Sequence, residues 1–280
     1  MNAVESKKNC DQDKPLVSIV VNNYNNELYL SECLEGLLSQ TYHNIEIVVV
    51  DAFSSDGSRQ IIDAYAKRDS RVKRVYCSAY EKYPAITYNL GFLNCQGDYM
   101  AINDPDDVSM PKRIEAQINY LLNNPEVDVV GCNCYEFNAD YNELVETTVE
   151  KNVVSAASPA RNPSLMFRKE VMAKHGFWRW QCEYAADFEW LYRWYTAGVR
   201  FYILPQAYLR FRKAYGTNIS TTKTINQSVK LALFGTWFGL RLLGKVGFKW
   251  WWITAKNGVY ACVRLLLPES LFNKYFQKKR

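Results

Sequence analysis

The stretch Asp98-Tyr99-Met100-Ala101-Ile102-Asn103-Asp104-Pro105-Asp106-Asp107 runs from a strand-length apolar segment straight into three carboxylates within four residues. Carboxylates that close repel one another. An oxygen-only cluster suits a hard divalent ion such as Mg²⁺, which is commonly held by one or two carboxylates together with substrate phosphates. The ligand implied is a phosphate ester bound through a metal. A second reading stays open at this point. Asp-Pro-Asp-Asp is also ordinary turn chemistry, with Asp107 or Ser109 capping a helix that begins at Pro111.

Upstream, Leu16-Val17-Ser18-Ile19-Val20-Val21 and Ile45-Glu46-Ile47-Val48-Val49-Val50 are β-branched runs short enough for buried strands. The first stops at Asn22-Asn23-Tyr24-Asn25-Asn26, the second at Asp51. Between them Leu28, Leu30, Cys33, Leu34, Leu37 and Leu38 recur at helical spacing. Two buried strands flanking a helix predict a right-handed βαβ unit in a parallel sheet. Ligands of such sheets bind beyond the carboxyl ends of the strands, where Tyr24, Asn25 and Asp51 lie. Residues 51–58 then lead into a helix over about 59–68, with Asp56 or Ser58 as its cap. A strand over 72–76 follows, and a helix packed through Ile86, Leu90 and Leu93 ends at Gln96-Gly97, ahead of the strand that delivers Asp104 and Asp106. Further on, Pro111 to Leu122 reads as a helix and Val127 to Cys134 as a strand.

At 280 residues, 48% hydrophobic and 22% charged, the chain can bury a core, and it carries no repeat or low-complexity tract. The net charge of +5 is unevenly placed: residues 221–280 hold eleven Lys and Arg against one acid, Glu269, which leaves residues 1–220 at −5. Eight cysteines without paired Cys-x-x-Cys motifs, and only two histidines, argue against a zinc site. Scattered thiols fit a reducing compartment. Residues 1–14 form a polar tail without an apolar signal core.

Five ordered motifs between residues 17 and 107 resemble family 2 glycosyltransferases of the GT-A fold, an α/β fold with a mostly parallel central sheet flanked by helices. They are residues 17–25, Leu37-Leu38-Ser39-Gln40-Thr41-Tyr42, residues 46–51, Ser54-Ser55-Asp56-Gly57-Ser58, and Gly97-Asp98-Tyr99 leading into Asp104-Pro105-Asp106-Asp107. The resemblance covers residues 16 to about 220 and implies a nucleotide-sugar donor, held by Asn23, Tyr24, Asn25, Asp51, Ser54, Asp56, Asn89, Asp104 and Arg212. It implies Mn²⁺ or Mg²⁺ on Asp104 and Asp106, and Asp187 as the base of an inverting transfer. Locally, Asp187 also reads as an acid favoured by a helix N-terminus.

The sequence departs from the family pattern in places. Ala186 stands where a Glu usually precedes the base, Ala52 and Phe53 replace small or acidic residues after Asp51, Tyr88 stands where an Arg is frequent, and Ala214 replaces a His beyond Arg212. Trp178 and Trp180, ahead of the base, suit either sugar stacking or a core. The expected division is a tail at 1–14, a catalytic domain at 15–220 and a basic, aromatic-rich helical extension at 221–280. In that extension Lys230, Arg241, Lys245, Lys249 and Lys256 share about a third of a helix circumference, beside Trp250-Trp251-Trp252. No run there reaches the roughly 20 apolar residues of a membrane span. The expectation is monotopic attachment of residues 225–276 to the cytoplasmic face of a membrane, with a lipid-linked or glycan acceptor and no nucleic acid partner. A helical cap on the catalytic domain and a dimer interface are the alternatives for the extension, and a non-catalytic scaffold is the alternative for the whole. A nucleotidylyltransferase is disfavoured, because residues 22–26 lack a Gly-rich loop with a cation.

Overall fold

Strand β1 (Val17–Asn23) and strand β2 (Ile45–Asp51) are buried along almost their whole length, as their largely apolar sequences require, and the polar residues inside the two runs satisfy each other, Ser18 Oγ donating to Glu46 Oε1 at 2.6 Å. They pair in parallel with Asn23 opposite Asp51, so both strands end at one level. The computed structural model describes residues 14–79, 84–138, 141–147, 161–180, 182 and 186–213, all within one compact unit. The tail at 1–13, Ala214 and the 221–280 extension lie outside the described residues. Helix α1 (Leu30–Leu38) joins β1 to β2, helix α2 (Ser58–Arg68) leads to β3 (Val72–Tyr76), and helix α3 (Pro84–Leu93) leads to β4 (Tyr99–Asn103). The remaining elements among the described residues are β5 (Val108–Ser109), α4 (Arg113–Asn123), β6 (Val129–Asn138), β7 (Tyr141–Thr147), a 3-10 turn (Asn162–Ser164), β8 (Met166–Arg168), α5 (Lys169–His175), α6 (Ala186–Thr196) and β9 (Phe201–Arg212).

Among the described residues the sheet has nine strands in the order β3-β2-β1-β4-β8-β6-β9-β5, with β7 beside β6. It is mixed rather than mostly parallel. From β3 to β4 every pairing is parallel, but β8 is antiparallel to both β4 and β6, and β5 is antiparallel to β9. The sequence showed the parallel half because each of its strands is followed by a helical crossover; the other half is reached by short strands that carry no such signature.

Alternation along the strands divides the core between the two faces of the sheet. Val17, Ile19, Val21, Ile45, Ile47 and Val49 pack with α1, α2 and α4, whereas Val20, Val48, Val50, Met100 and Ile102 pack with α3, α5 and α6. Cys132 and Cys134 lie together in the first of these cores. The face of α3 differs from expectation. Ala85, Thr87, Tyr88, Gly91 and Phe92 are buried, while Leu93 is 69% exposed. A Cβ on Gly91 would lie 2.5 Å from Val20 Cγ1, so α3 approaches β1 more closely than a leucine face allows. Leu28 is likewise exposed, one turn ahead of the helix it was expected to join. At Gly97 a Cβ would fall on the Leu16 carbonyl oxygen, and the Gly97 amide donates to Ser18 Oγ, 2.9 Å, which fixes the entry to β4.

Candidate active site

The acid turn between β4 and β5 is built on buried polar groups. Asn103 Nδ2 donates to the carbonyls of Asp104 (2.8 Å) and Asp107 (3.2 Å), which folds the turn over the end of β4. Beneath it the fully buried Arg113 donates through Nη1 to Asn103 Oδ1 and Ser109 Oγ, each 2.8 Å, and through Nη2 to the Ile102 carbonyl, 2.7 Å. Neither Asp107 nor Ser109 caps α4: Ser109 donates to Asn103 Oδ1, and Asp107 Oδ1 accepts the Arg212 amide at 2.8 Å. The capping reading is set aside because both side chains are committed inward. Arg113→Met should therefore destabilise the protein by roughly 3 kcal/mol, since it strands buried acceptors and removes the cation under the turn. Equilibrium denaturant unfolding checks this.

The electrostatics of the turn are those of carboxylates held together without enough cation. Burial, then the Asp106 charge, push Asp104 up to about 7, with the Asp187 charge adding to the effect and the Tyr88 hydroxyl and Arg113 opposing it. Burial and its two neighbours raise Asp107 as well, and Asp107 Oδ2 is buried without a partner. Burial also raises Asp106, against the Arg212 charge. This donor set fits a hard divalent cation. Among the described residues no group of three or more His, Cys, Asp or Glu side chains is placed to hold a metal ion by itself; Mg²⁺ is commonly bound by one or two carboxylates together with substrate phosphates.

Arg212, expected on the donor, braces this turn. Its Nε donates to the Asp106 carbonyl at 2.9 Å, its Nη2 pairs with Glu32, and its guanidinium lies over the rings of Tyr29 and Phe137.

Beyond the ends of β1 and β2 the two loops lace together. Asp51 is fully buried and accepts from Asn23 Nδ2 (3.0 Å), the Ser54 amide (3.0 Å) and Arg59 Nε (2.7 Å). Ser54 Oγ accepts from Asn23 Nδ2 (3.2 Å) and the Asn25 amide (2.9 Å), and Asn25 Oδ1 accepts the Ser55 amide (2.8 Å). Asp56 accepts the amides of Glu27 and Ser58, each 3.0 Å; partial burial raises its carboxyl, but hydrogen bonds from the Ser58 hydroxyl and from these amides hold it below the usual range. Asn25, Ser54 and Asp56 are thus engaged in shaping the loops. The groups turned to solvent are the rings of Tyr24, Phe53 and Tyr76, with Phe53 in a left-handed backbone conformation, φ +68°. The Arg59 guanidinium lies 5.1 Å from the ring centres of both Phe53 and Tyr76.

Asp187 sits in the first turn of α6, where the helix N-terminus favours a carboxylate, near enough to the acid turn for its charge to raise Asp104. Arg193 anchors that helix by donating to Glu189 Oε1 (2.8 Å) and to the carbonyls of His175, Gly176 and Phe177. Trp178 is buried against Trp190, whereas Trp180 is exposed, so the two tryptophans divide between core and surface. Asn89, also expected on the donor, clamps the Trp178 backbone: its Nδ2 donates to the Trp178 carbonyl at 2.8 Å and its Oδ1 accepts the Trp178 amide at 3.1 Å.

Sequence reasoning brought Asp51, Asp104, Asp106 and Asp187 to one end of the sheet and missed Arg59, Arg113 and Glu32. Arg59 and Arg113 each lie in the first turn of the helix that follows an acid-bearing loop, the one sequence signal they carried.

The family model described as Glycosyl transferase family 2 matches residues 18–180. The chain is 26% identical over 270 residues to the putative glycosyltransferase EpsE of Bacillus subtilis, covering 95% of this chain and 94% of that one. It spans less than two thirds of the length of other curated relatives, including 43% of TuaG of Bacillus subtilis, a putative teichuronic acid biosynthesis glycosyltransferase 32% identical over 109 residues, 39% of this chain. The crystal structure of S. aureus TarS 1–349 in complex with UDP-GlcNAc matches at TM-score 0.68 with 18% identity, covering 92% of this chain and 74% of that chain. The mannosyltransferase PcManGT from Pyrobaculum calidifontis, in complex with GDP-Man and Mn²⁺, matches at TM-score 0.61 with 14% identity, covering 95% and 82%. The structural likenesses show the GT-A-like fold, and the family match, which takes in more than half of the sequence, shows that this chain belongs to glycosyl transferase family 2.

Proposed function

We propose that the protein is a metal-dependent, inverting glycosyltransferase that moves a sugar from a nucleoside diphosphate sugar to a hydroxyl of a glycan acceptor in cell-surface polysaccharide synthesis. The observation that carries this reading is the gathering of Asp104, Asp106 and the under-compensated Asp107 at the strand ends, within electrostatic reach of Asp187. When bound by Asp104 and Asp106, Mn²⁺ or Mg²⁺ supplies Lewis-acid neutralisation of the diphosphate. The chain's own residues do the rest. The Asp51–Arg59 pair holds the two loops together, and Tyr24, Phe53 and Tyr76 beside it offer exposed faces for a nucleobase to stack on. Asp187 takes the proton of the acceptor hydroxyl as the acceptor oxygen bonds to the anomeric carbon. The bond from that carbon to the diphosphate oxygen breaks on the opposite face, and the nucleoside diphosphate leaves.

The complexes of TarS with UDP-GlcNAc and of PcManGT with GDP-Man and Mn²⁺ support a nucleotide-sugar donor and a metal, and the naming of TuaG supports a polysaccharide product. The domain division at 15–220 and 221–280, membrane attachment through residues 225–276 at the cytoplasmic face, and a lipid-linked acceptor belong to the same proposal and rest on the sequence alone. No helix among the described residues is long and apolar enough to cross a membrane.

Calorimetric titration of UDP, GDP and dTDP, with and without Mn²⁺, tests the donor site. One nucleotide is expected to bind in a Mn²⁺-dependent way. Absence of binding by all three contradicts the transferase reading and favours a non-catalytic scaffold.

A further inference from the structure

Tyr88 joins two parts of the site that the chain delivers separately. Its hydroxyl donates to Asp104 Oδ1, and its ring, 5% exposed, lies 4.6 Å from the Trp178 ring centre. The next residue, Asn89, holds the Trp178 backbone in both directions. Trp178 in turn packs at 5.4 Å on Trp190, one helical turn beyond Asp187 on α6. Phe92, one turn along α3, stacks behind Tyr88 at 6.1 Å and packs edge-on against Phe167, which also meets Trp190. The ring is packed between Trp178 and Phe92, so its single donor fixes one Asp104 oxygen and thereby sets the direction of the other.

We propose that Tyr88 is a positioning residue that sets the direction in which Asp104 presents its carboxylate to the divalent cation, and that the Tyr88–Trp178–Trp190 stack holds this carboxylate in register with the Asp187 helix. The proposal rests on the donor-site reading above and adds a residue to it. A neutral phenol suits the role chemically: it orients Asp104 without cancelling its charge, so the demand of the acid turn for a cation is preserved. A buried carboxylate released from its donor samples other rotamers, and donors that orient a metal ligand in this way are typically worth about ten- to a hundredfold in metal affinity.

The test measures the Mn²⁺ affinity of the full chain by the electron paramagnetic resonance signal of free Mn²⁺, with saturating UDP, GDP or dTDP present. Tyr88→Phe, which keeps the ring and its stacking, is expected to weaken Mn²⁺ binding about tenfold or more. Replacing Tyr88 by 4-aminophenylalanine, which returns a neutral donor to the same ring position, is expected to restore affinity to within about threefold of wild type, a recovery that ring packing alone does not give. Unchanged affinity in Tyr88→Phe, or no recovery with the amino variant, overturns the role of Tyr88 while leaving the donor site standing. Absence of Mn²⁺ binding to the wild-type protein with every nucleotide overturns the donor-site reading and this role together. Circular dichroism on each variant establishes that the fold is retained. Should Tyr88→Phe fail to fold, the amino variant alone decides: wild-type affinity supports the role, and a tenfold loss overturns it.

Discussion

Replacing Asp187 with Asn is expected to lower kcat by about 10³-fold while leaving nucleotide and Mn²⁺ binding close to wild type. Asn matches Asp in shape and keeps one carbonyl oxygen, so packing at the start of α6 is undisturbed, but it cannot take a proton at neutral pH. The loss therefore falls on the chemical step. A fully committed general base contributes about 10²–10⁴-fold. The neighbouring acid, Glu189, cannot replace it: Glu189 is buried and tied to Arg193 and Arg179. Ala186, immediately before Asp187, is buried and brings no proton acceptor. Steady-state rates with the identified donor, set beside calorimetric nucleotide affinity, check both halves. A drop in affinity equal to the drop in rate would show that Asp187 binds donor rather than accepting the proton.

Asp106→Ala is expected to abolish the Mn²⁺-dependence of nucleotide binding and to cut kcat/KM by about 10³-fold, the scale of removing a fixed electrostatic stabiliser of the leaving group. The same change should not lower the unfolding midpoint of the metal-free protein. Asp106 is the first charge, after burial itself, that pushes Asp104 and Asp107 up, so its removal relieves repulsion in the turn. Its backbone carbonyl, which accepts from Arg212 Nε at 2.9 Å, survives the substitution. Large loss of function with stability retained or raised is the signature of carboxylates kept together for a ligand, whereas an acidic turn kept for folding shows the reverse. Differential scanning fluorimetry and initial-rate kinetics on one preparation separate the two.

The parallel half of the sheet was readable because its strands are apolar runs ending at polar residues and separated by helical periods. Asn23, Asp51 and Asp104 emerged at one end of the sheet for the same reason: consecutive parallel strands present their carboxyl ends to one side. In the other half only β6, expected at Val127 to Cys134, was readable; its neighbours were not. β8 has three residues and β5 two, and their places in the sheet are set by pairing with β4, β6 and β9 far along the chain. Side-chain direction was the other blind spot. Leu90 and Leu93 gave α3 a leucine face, yet Gly91 decides which face touches β1. Asn89 and Arg212 were placed by motif on the donor, but their hydrogen bonds go to Trp178 and to the acid turn. Motif position locates a residue in the fold; only the partners within reach decide what its polar atoms do.

The most direct test is a crystal of the protein grown with its nucleotide diphosphate and Mn²⁺, measured for anomalous scattering from manganese. The account predicts one peak between the Asp104 and Asp106 carboxylates, with the diphosphate on it, the base beside Asp51, and Asp187 across the site from the leaving oxygen. A manganese peak away from the acid turn would contradict it. So would nucleotide bound elsewhere, as in the cleft of about 390 Å³ lined by Asp128, Glu170, Lys174 and His175.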